Sequence, residues 1–82
     1  MNKEQFEKFK NLVDDLMNLI DNSDLTWEQK HHIVFYTPGL ANEICDVGLM
    51  EVSDFNSSDK GEVMAFYMAA RSKVGYLSYY FK

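Results

Sequence analysis

One cysteine and one proline are all that the 82 residues hold of either type. A lone Cys45 cannot form an intramolecular disulfide, so a reducing cytoplasm is the expected home. Neither CxxC nor HExxH occurs, and the glycines stand singly, which leaves out the common zinc signatures and a phosphate-cradling loop. No run of about 18 apolar residues exists to span a membrane. The segment Met1-Asn2-Lys3-Glu4-Gln5-Phe6-Glu7-Lys8 mixes acids with bases and lacks the apolar core of a signal peptide. A cytoplasmic, non-membrane protein is expected.

Basic residues are also scarce. Eight Lys and Arg face thirteen Asp and Glu, for a net charge of −5. The imbalance is concentrated: from Asp14 to Glu62 there are eleven acids against Lys30 and Lys60 alone, a local charge of −9. Both ends are mildly basic, the second through Arg71, Lys73 and Lys82. Direct binding to a nucleic-acid backbone needs clustered cations to displace counterions, and no such cluster is present. A protein with a basic surface is the partner this charge favours.

The apolar pattern is helical throughout. Phe6, Phe9, Val13, Leu16 and Ile20 recur at steps of three and four and predict a helix over 3–21. Lys3 with Glu7, Glu4 with Lys8, and Lys10 with Asp14 are spaced to pair along its solvated side. Thr26-Trp27-Glu28-Gln29 has the spacing of a capping box and opens a short helix over 27–36, with Trp27, His31, Val34 and Phe35 inward. Thr37-Pro38 predicts a third helix over 38–47, with Thr37 as cap and Gly48 as terminator. Residues 49–52 read as either a short extended segment or an irregular connector. A last helix over 60–80, capped by Asp59, carries Val63, Tyr67, Ala70, Val74, Leu77 and Phe81 as its core stripe. The fold class is therefore a compact all-α bundle of about four helices in one domain, 1–82, with the two long helices antiparallel.

The last helix has more apolar surface than one stripe requires. Phe66, Met64, Met68, Tyr76, Tyr79 and Tyr80 lie off the stripe, and Gly61, Ala65, Ala69, Ser72 and Gly75 are small. Either the other helices surround it, or Tyr76, Tyr79, Tyr80 and Phe81 form an exposed patch for self-association or a partner. Asp46, Glu51, Asp54 and Asp59 are the candidate acidic contact residues. Asp14, Asp15, Asp21 and Asp24 gather near the end of the first helix. Glu28 and His32 share a helical face, and Cys45 or Asp46 would have to complete a metal site with them; the spacing is weak, and no metal or other cofactor is expected. His31 is expected beside Trp27 and Phe35, with His32 in solvent. Cys45 makes a poor nucleophile beside Asp46, which opposes the thiolate. No catalytic constellation emerges, so a non-enzymatic protein is expected.

These features favour a stoichiometric binding protein, an inhibitor or regulator whose acidic surface docks on a basic, nucleic-acid-handling partner. Small phage-encoded proteins that block host defence complexes, CRISPR included, share this size and charge, an association and not a motif match. A homo-oligomeric assembly protein pairing through the aromatic C-terminal helix is the alternative. A third reading is an oligomer that sequesters a small ligand such as a nucleotide.

Overall fold

Four helices make up the structure, a computed structural model that describes residues 1–51 and 58–81. They are α1 (Lys3–Asn22), α2 (Trp27–Phe35), α3 (Leu40–Gly48) and α4 (Asp59–Ser78), and no strand occurs among the described residues. Three of the four start on a side-chain cap. Asn2 accepts from the Gln5 amide at 2.8 Å while the Gln5 side chain accepts from the Asn2 amide at 2.9 Å. Thr26 and Gln29 exchange the same two bonds at the start of α2. Such reciprocal bonds satisfy amides that a helix start otherwise leaves bare.

The expected stripes meet in one core. Phe9, Leu16, Val34, Ile44, Val63 and Phe66 are fully buried, so every helix contributes. α1 packs most extensively on α3, and α2 on α4. The long helices run antiparallel: Phe6 near the start of α1 stacks on Phe81 beyond the end of α4, with ring centroids 5.1 Å apart. Among the described residues no buried side-chain nitrogen or oxygen lacks a hydrogen-bond partner.

Several local expectations are corrected. The cap of α4 is Ser58, whose hydroxyl accepts from the Gly61 amide; Asp59 is already helical. The cap of α3 is Gly39 rather than Thr37, which lies in the bend before it with Pro38. A Cβ at Gly39 would collide with the carbonyls of Ile33, Thr37 and Val34, so α3 is folded tightly against the last turn of α2. Gly48 does not terminate α3 by turning left-handed. That conformation falls on Leu49, at φ 53° and ψ 43°, and the Met50 amide closes back on the Cys45 carbonyl at 2.9 Å. Residues 49 and 50 therefore form a helix cap, not an extended piece; Val52 lies outside the described residues. Phe66, placed off the stripe by its spacing, is buried, because α2 covers the flank of α4 that carries it: its ring meets Phe35 edge-on at 5.7 Å. None of the three spaced ion pairs on α1 closes to within 4.0 Å.

Candidate functional site

The acids occupy the solvated sides of the first three helices. Asp14 and Asp21, seven apart, share one side of α1, and Asp15 points further round. Asp24 lies in the turn before α2, Glu28 on α2, and Glu43 and Asp46 three apart on the outer side of α3, with Glu51 just beyond. All eight are exposed. The only ion pairs within 4.0 Å among the described residues belong to His31, so none of these eight is ion-paired to a described Lys or Arg.

The two lysines within this acidic stretch are engaged elsewhere. Lys30 is buried; its ammonium donates to the Ile20 carbonyl at 2.9 Å in the last turn of α1 and lies 4.4 Å from the Trp27 ring centroid. A cation there answers the negative end of the α1 dipole. Lys60 of α4 approaches the same indole at 5.5 Å. A buried Lys30 was not foreseen, although its place between Trp27 and Val34 on one helical face was the available signal.

Asp59, one of the candidate contact acids, is half-exposed and faces His31. Its carboxylate lies 3.8 Å from His31 Nδ1, and Glu62 lies 2.9 Å from His31 Nε2. A carboxylate only accepts, so Nε2–H donates to Glu62 and ties α2 to the first turn of α4. His31 also packs on Phe35 at 4.8 Å, as expected, and on Tyr36 at 5.4 Å. His32 is exposed and stacks on Tyr36 at 5.9 Å. Asp46 and Glu51 stay exposed, and Asp54 lies outside the described residues.

At the far end of α4 the expected tyrosines are exposed: Tyr76 by 63 %, Tyr79 by 79 % and Tyr80 by 65 %. The Tyr76 and Tyr80 hydroxyls are hydrogen-bonded at 3.2 Å, and their rings meet edge-on at 5.3 Å. That bond, with the charge Tyr76 would carry, holds the Tyr80 phenol above its ordinary range. Phe81 leaves this patch and is half-buried against Phe6.

Burial first, and the Asp46 charge second, push the Cys45 thiol up, which keeps it protonated near neutrality. No group of three His, Cys, Asp or Glu among the described residues is arranged to hold a metal ion. An open groove of about 390 Å³ lies along α2, lined by Leu25, Glu28, Gln29, His32 and Ile33. No helix among the described residues is long and apolar enough to cross a membrane.

No protein-family model matches the chain, and no significant match to a curated protein or a solved structure is found. The functional reading therefore rests on the surfaces just described.

Proposed function

We propose that this chain is a small non-enzymatic binding protein that acts by stoichiometric association, its acidic surface docking on a partner with a basic face. The observation that supports this is the set of eight exposed carboxylates on α1, α2, α3 and the turns beside them, with no described Lys or Arg within 4.0 Å. Uncompensated surface charge of one sign raises association rates with an oppositely charged partner. A nucleic-acid-handling protein has such a face, because it must replace phosphate counterions. An inhibitor or regulator of such a protein, of the phage anti-defence kind, is the specific form this reading takes.

The test is capture with the tagged protein from its native host lysate at about 50 mM and about 500 mM NaCl. A basic protein retained at low salt and released at high salt is the expected result. Asp46→Lys with Glu51→Lys should slow association at least about tenfold at low salt and leave helicity unchanged. Capture that survives both high salt and charge reversal would sink the reading.

A second reading, assembly through α4, is favoured by a different observation: three adjacent tyrosines stay exposed although the core is complete without them. Tyr76→Asp with Tyr80→Asp should then abolish self-association at unchanged helicity, measured by sedimentation and circular dichroism.

A further inference from the structure

Lys10, Val13, Asp14 and Met17 share one side of α1, and Tyr67, Arg71 and Val74 share the side of α4 that meets it. Between the two helices these residues line a cavity of about 170 Å³. Val13 and Val74 form its apolar wall, and the exposed Met17 extends that wall toward solvent. Three exposed charged side chains stand around it: the Lys10 ammonium, the Arg71 guanidinium and the Asp14 carboxylate. None of the three is ion-paired within 4.0 Å to a described residue, although Lys10 and Asp14 are one helical turn apart. Tyr67 is only 9 % exposed. Its hydroxyl oxygen accepts from Arg71 Nη1 at 3.3 Å, and its own hydrogen is donated to no described residue.

We infer that this cavity binds a free α-amino acid with an apolar side chain. Three donors converge on it: a buried phenolic O–H that lacks an acceptor, a guanidinium with N–H groups to spare, and an ammonium. Together they suit a carboxylate, which only accepts hydrogen bonds and forms its strongest ones with charged donors. Asp14 sets the second requirement. A fixed carboxylate beside the same cavity repels a simple anion and accepts from an ammonium, so the ligand that satisfies both signs is a zwitterion. Val13, Met17 and Val74 favour an apolar remainder. Volume sets the upper limit. Drug-sized ligands use cavities of about 300 Å³ or more, whereas one of about 150 Å³ holds a benzene. A nucleotide is therefore too large, and an amino acid of leucine's size is of the right order. The inference depends on neither reading of the surface, since it needs no partner protein and no second copy.

The test is an amide NMR titration of the full chain with L-leucine to about 10 mM. Saturable shifts at the amides around Val13, Tyr67 and Val74 are expected, with a Kd of about 0.1–1 mM, the range open to so small a ligand. Isocaproate, which is leucine without its amino group, and isopentylamine, which lacks the carboxylate, should each bind at least about tenfold more weakly. Tyr67→Phe keeps the ring in the core and removes only the hydroxyl, so the spectrum should stay that of the folded protein while Kd rises about tenfold. Asp14→Asn, at an exposed site, should weaken leucine binding and tighten isocaproate binding, a pair of opposite changes that a mere disturbance of the fold does not produce. No saturable shift at the highest leucine concentration, or a Kd that neither variant moves, overturns the site. Isocaproate bound as tightly as leucine overturns the amino-acid assignment and leaves a site for simple carboxylates.

Discussion

Gly48 and Leu49 are neighbours with opposite local problems. Gly48 is helical and has no side chain because the Phe9 ring occupies that space: an added Cβ would lie 2.8 Å from Phe9 Cδ2. Gly48→Ala should therefore cost about 1–3 kcal/mol, the usual penalty for overfilling a packed site, measured by urea denaturation. Leu49 takes the left-handed conformation, which a Cβ disfavours by about 1–2 kcal/mol, while its side chain is 75 % exposed. Leu49→Gly should stabilise the protein by about 0.5–1 kcal/mol, since glycine is the preferred residue there and little packing is lost. A decrease in stability would mean that the Leu49 side chain makes contacts its exposure hides. Cys45 gives a prediction of its own. Its thiol sits above the ordinary value of 9.0, so the thiolate is under about 3 % of the population at pH 7.5. Alkylation should be slow at that pH and rise about tenfold per pH unit up to about pH 9. Rapid labelling at neutral pH would contradict the burial of the group.

Capping and pairing decide the elements. Thr26→Ala removes the hydroxyl end of the α2 capping box and should cost about 1 kcal/mol. Glu62→Ala leaves the buried His31 Nε2 without its acceptor across the α2–α4 contact, and should cost about 1–3 kcal/mol. A double-mutant cycle with His31→Ala separates that coupling from packing losses. How far such features were legible follows from their range along the chain. The Thr26–Gln29 box lies within one turn and is plain from the residues alone, as is the core face of α1; that of α4 is plain except for Phe66, which only the packing of α2 buries. The α4 cap was misplaced by one residue because Ser57, Ser58 and Asp59 all suit the role, and only the path of the backbone chooses Ser58. The task of Gly48 depends on Phe9, 39 positions earlier, and the approach of Asp59 to His31 spans 28 positions; long-range partners of this kind leave no periodic trace. The exposure of Tyr76, Tyr79 and Tyr80 was open for the same reason, since spacing cannot tell how many neighbours cover a helix.

At the scale of the whole molecule, the missing Lys and Arg ion pairs set the response to salt. Among the described residues there is no such pair for salt to screen, while −5 of net charge remains to repel. Stability should therefore rise with ionic strength, by roughly 3 °C in Tm between about 20 mM and about 500 mM NaCl. A fall in Tm would show that surface attractions between opposite charges outweigh the repulsion. Trp27 offers a direct way to follow such changes. It is the only indole in the chain, half-buried, with one ammonium group from its own helix and another from the first turn of α4 close to its ring. Its fluorescence is thus an intrinsic, unlabelled signal for the docking of α4 on α2, and departure of Lys60 should alter the emission before Lys30 leaves the end of α1.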